Sequence, residues 1–119
     1  MIIDAHSHAF PLEGLVAMEK LYPELIKVHQ YEADNAFAVW AETPLPAWNS
    51  AKRMEKMHQA GIDKEILQNP IIYHKVDKNA PFVCQVMNRE LAGICLDNPE
   101  NFDFLASVPL MIWMNVLEK

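Results

Sequence analysis

The chain is poor in the residues that make loose joints. It has 3 glycines in 119 residues, which excludes long flexible linkers, while 8 prolines mark kinked connections. It has 2 cysteines, Cys84 and Cys95. On one helix they would stand about 16 Å apart at about 1.5 Å rise per residue, whereas a disulfide needs Cα atoms within about 7 Å. They read as buried free thiols of a reducing compartment. Positive charge is also scarce. Ten Lys and Arg against 16 Asp and Glu leave a net charge of −6, which argues against nucleic acid as a partner. No apolar run approaches the roughly 20 residues that span a bilayer. No basic start leads into an apolar stretch and a cleavage site, so no signal peptide is read. These absences point to a cytoplasmic protein that engages no membrane. Phosphate loops, zinc-ribbon cysteines, dinucleotide fingerprints and Gly-x-Ser-x-Gly elbows are missing too.

What is present is ordinary globular composition, 51% hydrophobic and 22% charged. The length suits one domain with a real core, so residues 1–119 are read as a single domain. Met1 to Ala5 read as a short buried strand that runs into His6-Ser7-His8. Apolar residues at helical spacing follow over Leu15 to Ile26, interrupted at Pro23. His29 to Trp40 look extended, with Asp34-Asn35 as the turn of a hairpin, and Pro44 and Pro46 end that region. Trp48-Asn49-Ser50 offers capping oxygens for a helix that stops at Gly61. Ile62 to Leu67 read as the next strand, closed by Asn69-Pro70. Ile71 to Asn79 read as a loop. Pro81 suits the first turn of a helix that ends at Asp97-Asn98-Pro99. Phe102 to Leu110 read as a third strand, apolar throughout as in a sheet buried on both faces. Met111 to Lys119 read as the start of another helix. Strands alternating with helices predict a parallel α/β sheet.

His6-Ser7-His8 is the most informative feature. In a strand, residues two apart share a face, and their Cα atoms lie about 6.6 Å apart. Two imidazoles there can grip one metal ion, at about 2.0–2.1 Å each for zinc. Ser7 faces the other way. Asp4 is read on the histidine face, either solvated or steering an imidazole.

Ile3-Asp4-Ala5-His6-Ser7-His8 resembles the first-strand metal motif of the amidohydrolase superfamily. Arg53-Met54-Glu55-Lys56-Met57-His58-Gln59-Ala60-Gly61-Ile62-Asp63 resembles the subgroup that includes aminocarboxymuconate semialdehyde decarboxylase and γ-resorcylate decarboxylase. Asn88-Arg89-Glu90-Leu91-Ala92, then Asn98-Pro99-Glu100-Asn101-Phe102, then Ala106-Ser107-Val108-Pro109-Leu110 resemble that subgroup's next helix, turn and third strand. The resemblance implies an α/β fold: the first three β/α units of a (β/α)8 TIM-type barrel, with a small β insert at about 27–46 after strand 1. The remaining metal ligands of the family would lie on later strands. The resemblance therefore implies an N-terminal part of such an enzyme.

The activity implied is metal-dependent hydrolysis or nonoxidative decarboxylation of a small carboxylated or aromatic substrate, with zinc expected and manganese the alternative. His6 and His8 are the expected metal ligands. Arg53 is a candidate to grip a substrate carboxylate, although Asn49 stands where the family often has Asp. His74, in a loop after the second strand, is a candidate to face substrate. His58 stands where the family usually has Asp and is read as a helix-end residue, and His29 as a hairpin surface residue. Trp40 and Trp48 are read as packing residues or pocket walls. With so few ligands the isolated chain is expected to be inactive. The competing expectation is a non-catalytic remnant or assembly module that associates through open sheet edges, as a homo-oligomer or with the missing barrel portion.

Overall fold

The computed structural model describes residues 1–30, 36–69 and 78–109. Their strands form two three-stranded sheets. One is parallel: β1 (Ile3–His8) pairs with β5 (Lys64–Gln68), and β5 with β6 (Phe102–Phe104). The other is an antiparallel meander of β2 (Ile26–Gln30), β3 (Ala36–Trp40) and β4 (Thr43–Pro46). Three helices complete the described residues: α1 (Leu12–Leu21), α2 (Ser50–Ala60) and α3 (Ala80–Asp97). The parallel sheet has the order β1-β5-β6, so each new strand joins the same growing edge. α1, the meander and α2 lie in the first crossover, and α3 in the second.

Local chemistry sets most boundaries. Asn49 caps α2, its side chain accepting from the Lys52 N–H at 3.0 Å. Gly61 ends α2 at φ 73°, where its N–H reaches the His58 and Met57 carbonyls. α1 starts earlier than its spacing predicts, straight after Pro11, and ends at Leu21 rather than Ile26. Pro23 explains the early end: it disfavours helical geometry at Tyr22 and has no N–H to donate. Ile26 then opens β2 instead of closing α1.

Two further expectations are corrected. Pro44 and Pro46 do not merely close the extended region but are themselves part of a strand, β4, opposite Val39 and Phe37, with Pro46 its last residue. β4 is an edge strand, where a residue without an N–H breaks no ladder. The third strand stops at Phe104, well short of Pro109. The last ladder bond runs from the Leu105 N–H to the Leu67 carbonyl. Beyond it Asn88 on α3 takes both backbone groups of Ser107, accepting from its N–H at 2.8 Å and donating to its carbonyl at 2.9 Å. A side-chain amide thus replaces the neighbouring strand. The expected turn at Asp34-Asn35, the loop from Ile71 and the helix from Met111 lie outside the described residues.

α3 joins two cores. Its first half carries Val83, Cys84 and Met87 into a cluster with Leu15, Met18, Tyr22, Ile26 and Ala38, between α1 and the meander. Its second half carries Leu91 into a cluster with Ala9, Met57, Leu67 and Phe102, on the helix-covered face of the parallel sheet. Each large side chain fully buried this way contributes about 1.5–3 kcal/mol. Gly14 lets α1 approach α3 closely, because a Cβ there would lie 2.6 Å from the Met87 methyl carbon. Both cysteines are free thiols, Cys84 buried and Cys95 half-buried. Burial pushes both thiols up from their ordinary range, which disfavours the thiolate form. No described helix is long and apolar enough to cross a membrane.

Candidate functional site

β1 does not run in simple register with β5. Asp4 pairs with Glu65 and Ser7 with Leu67, so β1 holds one more residue than β5 over this span. Such a bulge leaves a backbone group off the ladder and re-aims the side chains beyond it. Asp4 supplies the missing acceptor: its Oδ1 receives the His6 N–H at 3.0 Å. The bulge also breaks the parity between Asp4 and the histidines on which a shared face was expected. Asp4 works on the backbone of His6, not on an imidazole.

Past the bulge the strand alternates. Ser7 is buried against α2, while His6 and His8 lie exposed at the strand's C-terminal end. The two Nε2 atoms are 3.2 Å apart, with ring centroids at 5.0 Å and planes tilted by 48°. Two zinc–nitrogen bonds of about 2.0–2.1 Å at a tetrahedral angle would place the nitrogens about 3.3 Å apart. The pair therefore fits one shared metal ion. Without metal the same distance suits one ring N–H donating to the other ring nitrogen. Partial burial holds His8 below the ordinary imidazole range, and the charges of His6 and Arg53 push it the same way. A neutral imidazole is the form that ligates metal. Among the described residues no group of three or more His, Cys, Asp or Glu converges on one point. Two imidazole nitrogens are one fewer than the three protein ligands a catalytic zinc takes.

Behind the histidines lies a buried ionic cluster. Glu65 of β5 is nearly inaccessible and accepts from the Ser7 hydroxyl at 2.8 Å. Arg53 of α2 donates through Nη1 to Glu65 Oε2 and to Ser7 Oγ, each at 2.7 Å, and through Nη2 to the His8 carbonyl at 2.7 Å. Its guanidinium carbon lies 4.9 Å from the Trp48 ring centroid. Trp48 donates its Nε1–H to Ser50 Oγ and packs edge-on against Phe102 at 5.0 Å. Arg53 is therefore turned toward the sheet, and any substrate carboxylate at this guanidinium competes with Glu65. The Glu65 role was missed in the sequence. The available signal was a carboxylate two residues before Leu67, on the strand face that the helices cover, where a charge needs a partner.

The other candidates lie apart from this cluster. His29 stacks on Phe37 at 4.9 Å within the meander. His58 is exposed in the last turn of α2. Trp40 packs against the α1–meander core. His74 lies outside the described residues. No protein-family model matches the chain, and a search of curated proteins gives no match either.

Proposed function

We propose that the chain carries the first three β/α units of an amidohydrolase-like barrel, with His6 and His8 as the first-strand half of a divalent metal site. The observation that carries this reading is the 3.2 Å separation of two imidazole nitrogens at the C-terminal end of a parallel strand. Barrel enzymes place their chemistry at that end. The sequential order β1-β5-β6 supports the reading, because a barrel adds its strands one after another at one edge. A meander between the first and second parallel strands fits the small insert of the decarboxylase-like subgroup.

The reaction class is hydrolysis or nonoxidative decarboxylation of a small carboxylated or aromatic substrate. A bound zinc ion, or manganese in its place, would supply Lewis acidity toward a carbonyl or carboxylate oxygen. His6 and His8 would hold it. The downward shift of His8 favours its neutral form, the one with a ring lone pair to offer. Further ligands must come from outside the described set, so the isolated chain is expected to bind metal weakly and to turn nothing over.

Zinc titration followed on the histidine ring signals tests this. Weak, saturable binding that disappears with His6→Ala and His8→Ala is the expected result. Stoichiometric metal that survives both substitutions would sink the assignment. A parallel assay with zinc or manganese on carboxylated phenols and simple lactones should show no turnover. Turnover abolished by His8→Ala would mean that a second copy completes the site. A non-catalytic assembly module is the second reading, favoured by apolar side chains left exposed at Ile3 (51%), Leu105 (55%) and Val108 (61%).

A further inference from the structure

We infer that Arg53 is a positioning residue that sets the geometry of the histidine pair through the backbone of β1. The inference rests on the metal-site reading for its function, but not for its geometry. Arg53 stands on α2, and its two terminal nitrogens reach β1 and β5 together. Nη1 is held by Glu65 and Ser7, and Nη2 by the carbonyl of His8. Ser7, between the two histidines, is itself fixed by Glu65. The strand is therefore gripped at Ser7 from the covered face and at the His8 carbonyl from α2. On the other side of the histidine pair, Asp4 grips the His6 N–H.

This arrangement answers a specific need. β1 bulges between Asp4 and Ser7, so the ladder with β5 is disrupted at His6 and resumes only at Ser7 and His8. His6 and His8 are both exposed, and their packing is slight, with Phe10 edge-on to the His8 ring at 6.3 Å. What remains is the backbone, and Arg53 with Asp4 holds it on either side. A guanidinium suits the task because its planar fork presents donors in fixed directions. Lysine has one nitrogen and cannot span Glu65 and the His8 carbonyl in the same geometry. The Trp48 ring 4.9 Å from the guanidinium carbon completes the orientation.

The test reads the pair directly, without metal, and then with zinc alone. In the wild-type chain a nuclear Overhauser contact between the His6 and His8 rings is expected. In Arg53→Lys and in Ser7→Ala that contact should weaken or vanish while the other backbone shifts stay in place. Zinc affinity should fall by about tenfold, the usual size of an effect transmitted to a ligand from behind. Glu65→Gln should act in the same direction. Arg53→Ala is the stronger variant, and if it does not fold, Arg53→Lys and Ser7→Ala decide. An unchanged ring contact and zinc affinity in folded Arg53→Lys would overturn the inference, as would a wild-type chain without the ring contact. A wild-type chain that shows the contact but binds no zinc removes the metal reading. The positioning role is then judged by the ring contact in the variants.

Discussion

Arg53 Nη1 lies 2.7 Å from Glu65 Oε2, with the carboxylate side chain 7% exposed and the arginine side chain 27%. A carboxylate taken that far out of water is tolerated only with its partner in place. Its cost is set by burial, so losing both partners does less harm than the two single losses added together.

Single substitutions Arg53→Leu and Glu65→Leu should therefore each destabilise the chain by about 2–4 kcal/mol, the arginine's partial exposure keeping the figure moderate. The double substitution should cost less than their sum, by about 1–3 kcal/mol of coupling. Urea unfolding of the three variants measures this. Strict additivity would show that the pair contributes no mutual stabilisation.

Gly14→Ala should destabilise by about 1–3 kcal/mol through overpacking. The new Cβ meets the thioether end of Met87, which is fully buried and receives the Asn69 amide on its sulfur at 3.4 Å. Thermal unfolding reads the cost. Trimming the obstacle with Met87→Ala should leave Gly14→Ala nearly neutral in that background.

The turn Ala41-Glu42 joins β3 to β4 with φ of 47° and 68°. Both central residues are left-handed, as in the tight hairpin turn that favours Asn-Gly. Each side chain with a Cβ costs roughly 1 kcal/mol or more there. Replacing Ala41 by Asn and Glu42 by Gly should stabilise the chain by about 1–2 kcal/mol. A lower melting temperature would show that the Glu42 side chain has another task.

His8 should make stability rise with pH through the mildly acidic range. Its folded imidazole is held below the ordinary value of about 6.5. The unfolded chain thus takes up this proton first as pH falls. The stability it secures is complete above about 6.5 and is lost as pH drops from there toward the folded value. An NMR titration of the His8 ring should place its midpoint below the ordinary value. His6→Ala should raise that midpoint by removing one of the three causes, leaving the larger effect of burial.

The chain should associate at micromolar concentration. Met1, Ile2, Ile3, Leu105 and Val108 are all more than half exposed, and exposed apolar patches drive contact. The net charge of −6 opposes this, but at about 0.15 M salt its repulsion reaches only about 8 Å. Sedimentation across a concentration series should show a rising mass. A concentration-independent 13.6 kDa species with cooperative unfolding would favour a self-contained small α/β fold.

What the sequence determined was whatever its near neighbours decide. The cap at Asn49, the stop at Gly61, the proline start of α3 and the spacing of His6 and His8 involve partners within a turn or two. Residue type and spacing therefore suffice to read them. The tertiary structure decided the rest. β4 was hidden because Ala41-Glu42 carries no turn chemistry, and only pairing with β3 holds that backbone left-handed. The third strand ends at Phe104 because Asn88, far back along the chain, captures Ser107. The bulge in β1 exists only against β5, and it moved Asp4 from a possible imidazole partner to a backbone clamp. Arg53 turns inward because folding buries Glu65 beside it, and a buried carboxylate binds the nearest cation far more strongly than solvent-facing groups compete for it. Contacts of this kind depend on burial, and burial belongs to the packed chain, not to any segment of it.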